Sequence, residues 1–125
     1  MSRNKVIEEH IQTGYILSLA YYKDKSIGLT DSVDKLEAIG MNRNSAKDLI
    51  YYITEFMKPN NTPIRTMSEL AQTIYVKNLY RDLGIEAVKQ WEENSYRHFE
   101  YMLTKNNKKI SQRKNLVKLI EEVNK

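Results

Sequence analysis

Few residues in this chain can break a helix, and this scarcity limits what the chain can fold into. The 125 residues include four glycines and two prolines, so the segments between turns are long. Leu, Ile, Lys, Glu and Ala favour helix, although the many Asn and the nine Tyr do not. Apolar residues recur every three or four positions, and no run alternates strictly enough to indicate a sheet. The sequence therefore predicts an all-α fold.

Turn and cap signals divide the chain into five or six predicted helices. Gly and Pro mark the breaks, and Ser, Thr, Asp or Asn mark the helix starts. In the fourth helix, for example, Met67, Leu70, Ala71 and Ile74 are spaced for burial on one side. We expect residues 1–125 to form a single compact bundle and one domain. The signals, in chain order, are Gly28, one of Thr30, Asp31 and Ser32 as a cap, Gly40, Asn42 or Asn44 as a cap, Lys58–Arg65, Thr66 with Glu69 in a capping box or Ser68, Gly84 and Thr104–Lys109.

The residue types that are missing exclude several functions. The chain has no Cys, which excludes disulfides, thiolate metal sites and thiol nucleophiles. It also lacks a Gly-x-Ser-x-Gly elbow and a Gly-rich loop for phosphates. We therefore predict no enzyme activity, no cofactor and no metal. No stretch approaches the ~20 apolar residues that cross a bilayer, so we expect a cytoplasmic protein without a membrane partner.

The two histidines are predicted to have structural or solvent-exposed positions. His98 lies within a helical stripe and lacks a second ligand at metal-binding spacing, so we expect a partly buried, hydrogen-bonded ring. His10 follows Glu8 and Glu9, whose side chains point to other sides of a helix. We therefore expect His10 at the surface.

A possible helix-turn-helix lies in VDKLEAIGMNRNSAKDLI, Val33 to Ile50. Such a unit joins two helices by a tight turn that usually holds Gly, and Gly40 and Met41 supply that turn. Ala46 and Leu49 lie where the second helix usually makes buried contacts. Arg can read guanine and Asn can read adenine in the major groove. The polar residues that would face DNA are Asn42, Arg43, Asn44, Ser45, Lys47 and Asp48.

The same stretch is also compatible with an ordinary capped helix in a bundle. Lys35 lies where a helix-turn-helix usually buries an aliphatic residue, and Leu36 where a small residue lets the helices approach. Asp48 would face phosphate. Both interpretations therefore stay open at this point.

The strongest charge signal lies near the C-terminus. The segment from Lys105 to Lys118 has no acidic residue. Several cations acting together on phosphates release counterions and make binding steeply salt-dependent. Arg65, in the linker, could extend this patch. The basic residues of the segment are Lys105, Lys108, Lys109, Arg113, Lys114 and Lys118.

Two longer stretches resemble a known family. LEAIGMNRNSAKDLIYYI and RTMSELAQTIYVKNLYRDLGIEAVKQWEENSYRHFEYM, between Leu36 and Met102, are similar to the helical N-terminal domain that precedes the nuclease domain in bacterial HNH-type restriction endonucleases. The resemblance implies a helical domain that helps to position a nuclease on DNA. The paired His and Asn and the Cys knuckles of the nuclease domain are absent here. No catalytic residue can therefore be assigned from the resemblance.

We thus predict a non-catalytic module that binds double-stranded DNA and is related to restriction-type nucleases. The alternative is a phage or mobile-element protein that inhibits a host defence nuclease through protein–protein contacts. A third possibility is a homodimer that presents two copies of the basic face, since a symmetric operator reader needs two subunits.

Overall fold

The computed structural model describes residues 7–65, 67–106 and 108–124, which form six α-helices and no strand. This confirms the predicted all-α fold class with five to six helices. A short 3-10 helix at Lys25–Ile27 lies between the first two. The helices are α1 (Glu8–Lys23), α2 (Leu29–Ala38), α3 (Arg43–Met57), α4 (Glu69–Leu83), α5 (Ile85–Leu103) and α6 (Ile110–Val123).

Contacts divide the chain into two compact units, Met1–Thr54 and Glu55–Lys125. We call them the N-terminal unit and the C-terminal unit. The boundary falls near the end of α3. That residues 1–125 form one domain stays a prediction.

In the N-terminal unit, α1 packs closely against the part of α3 that belongs to this unit. A Cβ atom placed on Gly14 would lie 2.7 Å from Cδ1 of Leu49, so no other residue fits there without a shift. One turn further, the buried Ser18 hydroxyl donates to the Ile50 carbonyl at 2.7 Å and accepts from the Ile53 amide at 3.2 Å. The small residues of α1 thus bring the two helix backbones together.

The prediction that His10 lies at the surface is wrong. The residue is buried, with 8% of its surface exposed. Its Nδ1 accepts from the Ile7 amide at 3.4 Å, and its Nε2 donates to the Ile39 carbonyl at 2.9 Å. Since Ile39 is the C-cap of α2, His10 satisfies a carbonyl at the end of that helix.

In the C-terminal unit, the core is built around Trp91 of α5. Its fully buried ring stacks on Phe56 at a centroid distance of 4.4 Å and lies 5.8 Å from the ring of Tyr75 on α4. Helix α6 packs against both α4 and α5. At the start of α4 the Ser68 hydroxyl accepts from the Ala71 amide, as predicted for a cap. Thr66, the other predicted cap, lies outside the described residues.

Three side chains of α5 hold the linker that follows α3. Asn94 donates through Nδ2 to the Phe56 and Lys58 carbonyls, both at 2.8 Å. Arg97 donates to Oδ1 of Asn60 at 3.2 Å, and the His98 ring donates through Nδ1 to the Pro63 carbonyl at 2.7 Å. These three residues, spaced three and four positions apart, share one side of the helix. We call Asn94, Arg97 and His98 the linker clamp.

Candidate nucleic-acid interface

The positive charge of the protein is unevenly distributed between the two units. Residues 1–54 carry seven basic and seven acidic side chains, whereas residues 55–125 carry 13 basic and nine acidic ones. The net charge of +4 therefore belongs to the C-terminal unit. A surface that attracts a polyanion is best sought there.

The segment Lys105–Lys118, which we call the basic segment, runs from the turn after α5 into α6; its described residues are 105–106 and 108–118. The side chains of Lys105, Lys108, Lys114 and Lys118 are exposed. Lys114 and Lys118 are four positions apart on α6 and so share one side of it. Lys109 is half-buried and is the N-cap of α6, with a left-handed backbone (φ 51°). Four exposed cations thus lie on α6 and on the described residues just before it.

Arg113 is positioned by aromatic rings of α5. Its guanidinium carbon lies 5.1 Å from the Phe99 ring centroid and 5.7 Å from that of Tyr96. Its Nη2 is 3.9 Å from Oε2 of Glu100. Burial raises the pKa of Tyr96, Glu92 raises it further, and the nearby Arg113 opposes the rise. The guanidinium is thus oriented on α5 rather than extended into solvent.

Arg65 ends the linker near the basic segment in the same unit. The residue is half-buried, and the His98–Pro63 hydrogen bond fixes the chain two residues before it. Met67 and Lys109 line one small, partly open cavity of about 10 Å³, together with His98. Met67, two residues after Arg65, thus lies close to Lys109 of the basic segment. Burial lowers the pKa of His98, the Pro63 carbonyl opposes this effect, and Lys109 adds to it.

The second group of predicted residues lies at the start of α3 in the N-terminal unit. Gly40, with φ of 103°, joins α2 to α3, and Met41, Ala46 and Leu49 are buried. These features agree equally with a helix-turn-helix and with an ordinary capped helix, and Lys35 is exposed where a helix-turn-helix usually buries an aliphatic residue; both interpretations stay predictions. Asn42 caps α3, because its Oδ1 accepts from the Asn44 amide at 2.8 Å and the Ser45 amide at 3.3 Å.

Arg43 is already engaged by two carboxylates of α2. Its Nη1 donates to Oδ1 of Asp34 at 3.1 Å and to Oε1 of Glu37. The Asp34 hydrogen bond, followed by that of Glu37, raises the pKa of Arg43 above its ordinary value. A phosphate or base would have to compete with these carboxylates. Among the other candidates at this helix start, Asn44 is exposed and Lys47 is half-exposed.

Two residues near the basic segment were not predicted as site residues, namely Arg97 and Tyr101. Tyr101 is half-buried, and the Nζ of Lys105 lies 5.5 Å from its ring centroid. Arg97, Tyr101 and Lys105 follow one another at intervals of four. The sequence contains this spacing, but Arg97 and Tyr101 precede the run of cations from Lys105 to Lys118 on which the prediction was based.

Within the described ranges, no group of three or more His, Asp or Glu side chains is arranged to hold a metal ion. Across the same residues, no helix has the length and apolar character needed to cross a membrane. No protein-family model matches the sequence, and no match was found among curated proteins or among solved structures.

Proposed function

We propose that this chain is a non-catalytic module that binds double-stranded DNA, with the basic segment as its main phosphate contact. The observation that carries the proposal is the placement of Lys105, Lys108, Lys114 and Lys118, which are all exposed on one turn and the helix that follows. Phosphate contacts fix the position of a protein on a duplex without reading its sequence. A relation to restriction-type nucleases, suggested by the resemblance between Leu36 and Met102, is part of this proposal.

Electrostatics supports the choice of the basic segment over α3 as the main contact. The segment contributes six cations and no carboxylate, whereas the N-terminal unit has as many acidic as basic side chains. Arg113 adds a guanidinium oriented by Tyr96 and Phe99, and a planar guanidinium suits phosphate oxygens; its exposed partner Glu100, at 3.9 Å, is a weak competitor. Arg65 is assigned to the same surface as a further phosphate contact.

The start of α3 is proposed as a secondary contact. Asn44 and Lys47 are the candidates for base edges or phosphates there. Arg43 joins them only when DNA replaces Asp34 and Glu37 as its partners, and Asn42 acts by capping the helix. Exposed ion pairs are weak, so such an exchange is feasible.

The experiment is a titration of a labelled duplex, followed by fluorescence anisotropy at several salt concentrations between about 50 and 200 mM. We expect log Kd to rise linearly with log salt. The double variant Lys114→Gln/Lys118→Gln should weaken binding and lower that slope by about 1.8, since each phosphate contact contributes about 0.9. The control is Lys89→Gln, because Lys89 is an exposed lysine of the same unit outside the basic segment.

Two results would contradict the proposal. One is an absence of duplex binding at about 50 mM salt, where phosphate contacts are strongest. The other is a slope that the double variant and the Lys89→Gln control change equally. Either result would make the protein–protein role the better explanation of the sequence.

A further inference from the structure

An open groove of about 480 Å³ lies beside the basic segment, lined by Thr62, Arg97, Glu100, Tyr101 and Thr104. We call it the α5 groove. Small-molecule sites have volumes of about 300–1,000 Å³, so the groove has room for a single nucleotide. Four of its residues come from α5 and the residue after it, at spacings that place them on one side of the helix. Thr62, from the linker, supplies the facing wall.

Two residues of the linker clamp hold the Thr62 wall of the groove against α5. Arg97 lines the groove and also bonds Asn60, two residues before Thr62. His98 bonds the carbonyl of Pro63, the residue after Thr62. The wall that Thr62 supplies is therefore tied to α5 on either side. A wall that is held by hydrogen bonds of the fold lowers the entropic cost of binding.

The side chains of the groove offer three different contacts. The half-buried Tyr101 presents an aromatic ring, on which a nucleobase can stack. The side chain of Glu100, with 72% of its surface exposed, presents carboxylate oxygens that accept hydrogen bonds. Arg97 presents a guanidinium, which suits a phosphate. The aromatic ring suits the base of a nucleotide, the carboxylate suits its amino group, and the guanidinium suits its phosphate.

We propose that the α5 groove binds one unpaired nucleotide, preferably guanine, at the edge of a duplex held by the basic segment. The proposal rests on the DNA-binding function given above. A carboxylate favours guanine, because guanine carries a ring N–H and an amino group side by side on one edge. Adenine and cytosine carry an amino group next to an acceptor, which a carboxylate repels.

The groove and the basic segment share contacts, so one nucleic acid can occupy both. Lys105 lies over the Tyr101 ring at 5.5 Å, and Arg113 of α6 reaches Glu100 of the groove at 3.9 Å. An exposed lysine is held weakly over a ring. A base that stacks on Tyr101 displaces Lys105, and the released ammonium then pairs with the phosphate of the same nucleotide.

The experiment compares three labelled probes by anisotropy at one salt concentration: a blunt duplex, the same duplex with one unpaired guanosine at its end, and that probe with inosine in place of the guanosine. Inosine lacks the amino group of guanosine. We expect the guanosine probe to bind about tenfold more tightly than the blunt duplex, the order expected for one stacked base. The inosine probe should lose part of this gain.

Two variants separate stacking from hydrogen bonding. Tyr101→Ala should bring the guanosine probe to the affinity that the same variant shows for the blunt duplex. Glu100→Gln should remove the difference between guanosine and inosine. The matched control is Tyr80→Ala, since Tyr80 is an exposed tyrosine of α4, with 42% of its surface exposed, and lies outside the groove.

The outcomes distinguish the two proposals. If the blunt duplex binds but the unpaired guanosine adds nothing, the groove assignment is overturned and the DNA-binding function stands. The same holds if Tyr101→Ala weakens all three probes equally. If no probe binds, the DNA-binding function fails, and the groove assignment fails with it.

Discussion

Removal of the Asn94 amide tests how firmly α5 holds the linker. Asn94 is fully buried, and its Nδ2 donates to the carbonyls of Phe56 and Lys58. Phe56 contributes one of the last four carbonyls of α3, which have no partner within the helix. Asn94→Ala leaves both carbonyls without this donor.

The expected loss in the free energy of unfolding follows from the burial of the two acceptors. The bond to Phe56 is buried, so its carbonyl loses a partner that water cannot easily replace, at about 1–3 kcal/mol. Lys58 is exposed, so water can reach its carbonyl and the loss there is about 1 kcal/mol. We therefore expect Asn94→Ala to destabilise the C-terminal unit by about 2–4 kcal/mol.

Trp91 provides the assay. It is the single tryptophan of the chain, it is fully buried, and it lies one helical turn before Asn94. Urea unfolding followed by tryptophan fluorescence thus reports on the C-terminal unit. Glu93→Ala is the control, because Glu93 is the exposed neighbour of Asn94 on the same helix. Asn94→Asp should be at least as damaging as Asn94→Ala at neutral pH, because it directs a buried carboxylate at two carbonyls.

A change of less than about 0.5 kcal/mol in Asn94→Ala, the range of ordinary surface substitutions, would refute this reasoning. It would mean that α3 and the linker keep their positions without the side chain. The Thr62 wall of the α5 groove would then depend on the Arg97 and His98 hydrogen bonds alone.

Two further predictions concern pH and backbone strain. Burial holds the pKa of His98 below its ordinary value, so the unfolded chain takes up a proton before the folded chain does as the pH falls through about 6.5. We therefore expect the free energy of unfolding to decrease below that pH, by at most about 1.4 kcal/mol per pH unit. Above that range His98 makes no pH-dependent contribution. Urea unfolding of wild type and His98→Gln across the pH series checks this, and parallel profiles would contradict it. Gly40→Ala should lower the free energy of unfolding by about 1–3 kcal/mol because of the positive φ at this position. A clash does not contribute, because the nearest atom to an added Cβ, Nε2 of His10, lies at an ordinary 3.8 Å. Far-UV circular dichroism during thermal unfolding checks this, and an unchanged melting temperature would show that the turn adapts.

Local chemistry explains why most helix ends could be predicted from the sequence. Asn42 and Ser68 each accept hydrogen bonds from amides two or three residues later, a contact that depends only on nearby residues. Gly84, with φ of 90°, ends α4 in the same local way. Such signals act within one helical turn, so they can be read without the rest of the fold.

Contacts between distant segments could not be predicted in this way. His10 is buried and donates to the carbonyl of Ile39, which lies 29 residues away in the sequence. No residue near His10 in the sequence indicates this contact. Leu70 fits the apolar spacing of α4, yet 43% of its surface is exposed. Periodicity identifies the side of a helix that is apolar, but neighbouring elements decide how much of that side is covered.

In the candidate site too, local sequence signals could be read, whereas contacts between different elements could not. The run of cations from Lys105 to Lys118 could be read directly, and its placement on a turn and on α6 followed from the predicted helix break. The hydrogen bonds of Arg43 to Asp34 and Glu37 could not be predicted from the sequence, because they depend on the direction that the turn at Gly40 gives to α3.

The linker clamp also affects how this protein would respond to proteases. A stretch such as KPNNTPIR, with two prolines and two asparagines, is usually a site of cleavage, since exposed loop tips enter protease active sites easily. Here the carbonyls of Lys58 and Pro63 are bonded to α5, and a protease needs such a stretch in extended, detached form. Cutting would therefore require the stretch to separate from α5 first, so its rate would follow this local opening rather than the composition of the stretch.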